Sequence, residues 1–184
     1  RMEPQPVDLN HHVGELRKMM GRLLGENIDV VLQLDDQVCI VSADPGNLDQ
    51  VLINLCVNAR DAMPDGGVLT IETRHVVVTQ GDKAQGGEPG SYCLLAVHDS
   101  GHGMEQDVQE RVFEPFFTTK EAGKGTGLGL SVVYGIVEAH GGWLKVDSTP
   151  DEGSCFEIYL PTGEGIAAAG KPSEADEEEA GGQG

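Results

Sequence analysis

Asn54 and Asn58 stand one helical turn apart in a stretch whose apolar residues recur at helical spacing. Neutral amide oxygens placed this way can ligate Mg2+ without adding negative charge beside phosphates. Asp61 continues the same face and can hydrogen-bond a ribose or nearby backbone. Asp99 ends an apolar strand pattern and precedes Gly101 and Gly103. A carboxylate there can accept a hydrogen bond from an exocyclic amine, and the glycines let backbone pass close to a ring. Gly125-Thr126-Gly127-Leu128-Gly129-Leu130 opens a helix, where backbone N–H groups and the helix dipole favour phosphate. Each pattern alone also fits something plainer: a solvated polar pair, a strand-to-loop turn, a flexible hinge. Their fixed order is more specific than any one of them.

Between the second and third segments lies Phe113-Glu114-Pro115-Phe116-Phe117-Thr118-Thr119-Lys120. Three phenylalanines can anchor a lid by burying apolar area, and Lys120 can reach a terminal phosphate as a point charge. Rival motifs do not fit. A P-loop needs Gly-Lys-Ser/Thr, whereas Lys124 is followed by Gly125, and the dinucleotide fingerprint needs a preceding strand and other glycine spacing. The histidines, at 11, 12, 75, 98, 102 and 140, show no zinc spacing and read as structural or exposed. The four cysteines, Cys39, Cys56, Cys93 and Cys155, form no CxxC pair and read as reduced core residues, which suits a reducing cytoplasm. No covalent nucleophile is suggested.

These segments must be held by a regular framework. Asp8 can cap a helix to about Leu24, with Val13, Leu16, Met20 and Leu23 on one face and Gly25 ending it. Ile28–Leu34 and Val38–Val41 read as strands joined at Asp35-Asp36. Asp44-Pro45 starts a helix whose apolar stripe is Leu48, Leu52, Leu55, Ala59 and Ala62, and Pro64 to Gly67 stops it. Val68–Thr79 and Tyr92–His98 are strands flanking a glycine-rich loop. The segment from Ser100 to Thr126 is irregular apart from a short helix near Gln106–Val112. A helix over Gly127–His140, with Leu128, Val132, Val133, Ile136 and Val137 inward, precedes a hairpin of Trp143–Asp147 and Ser154–Leu160.

At 184 residues the chain has room for one main domain with its own core. No apolar run approaches a bilayer span, and no secretory signal opens the sequence. The net charge of −19 argues against nucleic acid as a partner. The tail from Gly163 carries six acids against Lys171, a net of −5, and its Gly/Ala/Glu composition predicts disorder.

The ordered segments resemble the boxes of the sensor histidine kinases. Asn54–Asn58 is similar to their N box, Asp99–Gly103 to the G1 box, Phe113–Lys120 to the F box and Gly125–Leu130 to the G2 box. Gly153–Phe156 resembles the last box, with Ser154 where threonine is common. The stretches from Asn58 to Met63 and from Gly129 to Gly135 look most like the hybrid-type kinases. The resemblance spans about Asp8 to Pro161.

It implies an α/β fold, a two-layer sandwich of the Bergerat ATP-binding type. A mixed sheet would pack against about three helices, with a mobile ATP lid at about Met104–Lys124. Residues 1–7 would be a linker from a preceding helical hairpin, 8–161 the catalytic and ATP-binding domain, and 162–184 a disordered acidic tail. The implied ligands are ATP (or ADP) and Mg2+. Asp99 would read adenine, with Gly101, Gly103 and Met104 beside it and Ser154 supporting through water. Asn58 would ligate the metal, and Asn54 would help place phosphate and metal. Asp61, Thr118, Thr119, Lys120, Gly125, Thr126, Gly127, Leu128, Gly129 and Leu130 would complete the nucleotide site, with Asn54 and Lys120 catalytic.

The family's phospho-acceptor histidine, followed by an acid, has no counterpart here, and His11-His12 does not match it. The acceptor would therefore sit on a partner dimerisation domain, with a response-regulator receiver domain downstream. The location would be cytoplasmic, either free or as the cytoplasmic part of a membrane-anchored sensor, with no direct membrane contact by this domain. Hybrid members attach a receiver domain after the catalytic domain, and these 184 residues do not include one; the acidic tail would be either a linker to it or an end. Two other readings compete. ATPases of this fold place a glutamate one turn before the metal asparagine to activate water; Asn54 stands there and cannot act as a base. A non-enzymatic nucleotide-regulated module is the third.

Overall fold

The computed structural model describes residues 2–79, 88–117 and 129–162. The chain runs through β1 (Gln5–Asp8), α1 (Leu9–Leu24), β2 (Ile28–Gln33), β3 (Ile40–Ala43), α2 (Pro45–Ala62) and β4 (Gly67–Val78). It continues through β5 (Gly90–Asp99), α3 (Gln106–Arg111), α4 (Gly129–Ala139), β6 (Trp143–Thr149) and β7 (Gly153–Pro161). Five strands form one mixed sheet in the order β2-β4-β5-β7-β6. Only β2 and β4 are parallel, which requires the crossover that β3 and α2 provide. The expected α/β architecture is present.

One face of the sheet packs against the long helices. Leu69 and Ile71 of β4, Cys93, Leu95 and Val97 of β5 and Phe156 and Ile158 of β7 meet Val13 and Met20 of α1, Leu52 and Leu55 of α2, and Val133 and Val137 of α4. The helix starts follow the sequence closely. The Asp8 carboxylate accepts from Asn10 N at 3.1 Å. The Asp44 carboxylate accepts from Gly46 N at 2.9 Å and Asn47 N at 3.2 Å ahead of Pro45, satisfying N–H groups that have no partner inside the helix. On α4, Val132 is 41% exposed rather than inward. The core contacts come from Val133 and Val137, with Leu130 and Ile136 at the margin.

The turn at Asp35-Asp36 lies between β2 and β3 as expected, but it does not make them a hairpin. The two strands do not pair: β2 lies along β4, and β3 pairs antiparallel with β1, Asp8 opposite Ile40 and Gln5 opposite Ala43. Asn10 explains the divergence. Its amide donates to the carbonyls of Asp35 at 3.0 Å and Gln37 at 2.9 Å, drawing the turn onto α1. Asp35 caps its own turn through Gln37 N at 3.0 Å and reaches across to His75 N at 3.0 Å. Those N–H groups, with the His75 ring, hold its carboxyl down at about 2. The ladder of β1 also brings residues 5–7, expected as linker, into contact with β3.

Candidate nucleotide-binding site

The site is assembled along α2. Asn54 lies midway along this helix, and its amide N donates to the Gly129 carbonyl at 2.9 Å, while its amide O accepts from Gln50 at 2.6 Å. The start of α4 is thereby fixed against the middle of α2. One turn on, Asn58 is half-buried, and no side-chain hydrogen bond engages it among the described residues. Asp61 is exposed at the next position, 3.7 Å from the Arg60 guanidinium. At the helix's end, the Ala62 carbonyl accepts from His102 N at 3.0 Å. The loop after Asp99 is thus docked on the helix that carries the two asparagines.

Asp99 is 2% exposed at the end of β5. Its carboxylate accepts from Gly101 N at 2.9 Å. Burial raises the carboxyl above its ordinary value, and the Gly101 and Ser154 N–H groups pull against that rise. A buried carboxylate with lone pairs left over is a directional acceptor for an amine.

The glycines around it answer first to the protein's own backbone. A Cβ on Gly101 would stand 2.4 Å from the Ala62 carbonyl oxygen. On Gly103, where φ is +67°, it would stand 2.0 Å from that of Thr149, and on Gly153, at φ +106°, 2.0 Å from that of Asp99. The close approach inferred from the sequence exists, and its partners are α2, the β6–β7 turn and β5.

Sequence reasoning missed the residues that brace this loop. Ser148 on β6 accepts from Met104 N at 2.8 Å, donates to the Gly153 carbonyl at 3.0 Å and lies 2.7 Å from Ser154 Oγ. Its single proton goes to Gly153, so Ser154 donates to Ser148 and keeps its lone pairs for another donor. Gln109 on α3 donates to the carbonyls of Met104 at 3.0 Å and Ser148 at 2.8 Å. Neither residue belongs to a motif. Ser148 stands opposite Ser154 only once β6 and β7 are paired, and Gln109 reaches it from α3.

His140 is structural, as its lack of metal spacing suggested. Asp44 N donates to its Nε2 at 3.1 Å and its Nδ1 lies 2.7 Å from the Ile136 carbonyl. Both bonds form only in the neutral imidazole protonated at Nδ1. This ties the end of α4 to the start of α2.

Of the three phenylalanines, Phe113 packs on Tyr134 and Phe156, with ring centroids 5.8 and 6.2 Å away. Phe117 lies 4.6 Å under the Arg111 guanidinium. Phe116 is 74% exposed and so does not anchor anything here. Leu130 packs against the core, leaving its backbone N–H as what it can offer a ligand. Thr118, Thr119, Lys120, Gly125, Thr126, Gly127 and Leu128 lie outside the described residues.

A buried carboxylate, two amides on one helix and a helix start joined to that helix are the parts expected of a nucleotide site. Residues 43–164 match the profile of the histidine kinase-, DNA gyrase B-, and HSP90-like ATPases. The chain belongs to this family. It is 43% identical over 162 residues to the sensor kinase CckA of Brucella abortus, covering 87% of this chain and 17% of that protein. The full-length structure of ShkA in complex with AMPPNP superposes with a TM-score of 0.70 at 25% identity, covering 88% of this chain and 31% of ShkA. Histidine kinase ThkA in complex with response regulator protein TrrA gives 0.65 at 27% identity, over 88% and 42% of the two chains. By sequence and fold this is a catalytic and ATP-binding domain of the sensor histidine kinase type. The chain spans well under half the length of the curated relatives it matches.

Proposed function

We propose that this domain binds ATP with Mg2+ and delivers the γ-phosphate to a histidine on a separate dimerisation domain, from which a response-regulator receiver takes it. In this reading the domain works in the cytoplasm. Among the described residues no helix is long and apolar enough to cross a membrane.

The observation that carries the reading is the state of Asn54. Its amide is committed to Gln50 and Gly129, at the position where a hydrolase of this fold needs a carboxylate to take a proton from water. With no base there, the acceptor must bring its own nucleophile. Asp99 accepts from the adenine amine, and the loop of Gly101 and Gly103 lies beside the base. Ser154 offers a lone pair for a bridging water.

The residues fit a metal at Asn58. Its half-buried amide is not used by the protein's described side chains, and an amide oxygen suits a hard cation without adding charge. Bound there, Mg2+ supplies neutralisation of the phosphate oxygens. The chain's own part is to orient: Asn54 fixes α4 so that the N–H groups at its start face phosphate, and Lys120 adds a cation. Rate then comes from positioning and charge neutralisation.

Mixing the chain with a histidine-bearing hairpin from a kinase of this type and γ-labelled ATP tests the proposal. The expected product is acid-labile label on the hairpin. Tight ATP binding without transfer to any such hairpin would favour a nucleotide-regulated module instead.

A further inference from the structure

At the far end of the sheet from Asp99, three donors of two kinds converge. The Sγ atoms of Cys39 and Cys93 and a ring nitrogen of His75 all lie within 4.8 Å of one another. Cys39 Sγ is 3.7 Å from His75 Nδ1, and the Asp35 carboxylate is 2.9 Å from the same nitrogen. Cys93 is six residues from Asp99 along β5, roughly 20 Å at strand rise, so this cluster has no part in the nucleotide site.

We propose that Cys39, Cys93, His75 and Asp35 form a zinc site that clips the turn before β3 to β4 and β5.

Tetrahedral zinc with bonds of about 2.0–2.3 Å holds its ligand atoms roughly 3.3–3.8 Å apart. The Cys39–His75 separation already falls in that range, and Cys93 Sγ lies within 4.8 Å of both; Asp35, beside the His75 ring, stands outside this group and turns its carboxylate toward the ion to complete the set. The donors come from three places that the topology makes rigid. His75 and Cys93 are directly paired across the β4–β5 ladder and so share a face. Cys39 is held by its carbonyl, which accepts from Leu9 N at 2.7 Å. Asp35 is fixed by Asn10, Gln37 and the His75 backbone, and its own N–H donates to Thr73 at 2.9 Å.

The row along β4 adds an argument. Leu69, Ile71, Thr73 and His75 occupy successive positions on the core-facing side, and the last two break the apolar pattern. Thr73 is 2% exposed and fully occupied with Asn10 and Asp35, which braces the turn carrying the fourth donor. Both cysteines are fully buried, and the His75 side chain is 35% exposed, giving an ion an entry from solvent. Two thiolates and an imidazole select a borderline or soft ion over Mg2+. On binding, the metal displaces both thiol protons. The imidazole stays neutral: it gives up the proton at Nδ1, and Nε2 carries one.

The test uses the 184-residue chain, reduced and stripped with chelator. Co2+ is added as the probe, and Zn2+ then competes for the site. The expected result is one equivalent of Co2+ with tetrahedral d–d bands and thiolate charge transfer, displaced by one equivalent of Zn2+. His75→Ala, at a half-exposed position that should not compromise folding, lowers affinity at least about 100-fold, more than an outer residue typically costs. Asp35→Ala, which removes the fourth donor, also lowers it beyond the roughly 10–100-fold that an outer residue costs. Cys56→Ser and Cys155→Ser leave the spectrum unchanged. Zn2+ raises the Tm of the wild-type chain and not that of His75→Ala. Three results would overturn the site: no thiolate band with Co2+, a band that survives Cys39→Ser, or a Cys39–Cys93 disulfide by mass whose reduction yields no metal uptake.

Discussion

Asn54 donates to the Gly129 carbonyl at 2.9 Å, so the helix that carries the paired asparagines also fixes the start of α4, the helix proposed to face phosphate. Removing the amide in Asn54→Ala should cost about 1 kcal/mol of stability. It should lower ATP affinity further by letting α4 shift. Asn54→Asp is the sharper variant, because it sets a carboxylate against the Gly129 carbonyl. Calorimetry with ATP and Mg2+, run beside a thermal melt, should show both variants binding more weakly than wild type. Unchanged affinity in Asn54→Asp would remove this bond from the binding mechanism.

Asp99→Asn should weaken ATP binding about tenfold or more, by replacing a charged acceptor with a neutral amide. GTP, whose exocyclic amine is elsewhere on the ring, should bind poorly to both proteins. Equal ATP affinity in the variant would place the base elsewhere.

The same carboxylate sets a pH signature. Burial raises the folded-state value for Asp99, so in the window between its ordinary and raised values the folded chain holds a proton that the unfolded chain does not. Stability attributable to Asp99 therefore increases as pH falls through that window, and is lost as pH rises through it. Binding moves the opposite way, since the protonated carboxyl is a poorer acceptor. Asp35, held at about 2, contributes in the ordinary direction and loses its share only in stronger acid. The difference between wild type and Asp99→Asn isolates the first effect. Denaturant titrations and ATP titrations across mildly acidic pH should give slopes of opposite sign.

Gly103→Ala should destabilise the domain by at least about 1–2 kcal/mol without touching a ligand. The new methyl would stand 2.0 Å from the Thr149 carbonyl oxygen at a φ of +67°. Denaturant midpoints measured without nucleotide check this. A stability loss seen only with ATP present would mean that this glycine serves the ligand alone.

Ser148→Ala should leave the fold intact and lower ATP affinity several-fold. The serine links Met104, Gly153 and Ser154 through one hydroxyl. Ser148→Thr, which keeps the hydroxyl, should restore most of the loss. Failure of that rescue would argue that the alanine effect is packing.

The site's linear motifs were legible because their chemistry is local. Asp44-Pro45 and Pro64 bracket α2 in the sequence as they do in space, and a carboxylate after an apolar strand needs no partner to be noticed. What could not be read were relationships that only pairing creates. The strand pattern of residues 28–43 is correct in type, yet whether β3 folds back on β2 or crosses to β1 depends on Asn10, far from both. Ser148 and Gln109 carry no motif. The histidines lack zinc spacing along the chain, but antiparallel register sets His75 opposite Cys93 and a capped turn delivers Cys39 beside them.

Two bonds that tie α4 to α2 are the Asp44–His140 contact at 3.1 Å and the Asn54–Gly129 contact at 2.9 Å. They lie at opposite ends of matched antiparallel stretches, each roughly 15 Å long at 1.5 Å per residue. They act as a gauge. Inserting or deleting one residue between Asp44 and Asn54, or between Gly129 and His140, would turn one contact about 100° away from its partner. Substitutions along these helices can be absorbed one side chain at a time, but a change in their length cannot, which makes this pair of helices the ruler against which any graft or chimera of the domain has to be cut.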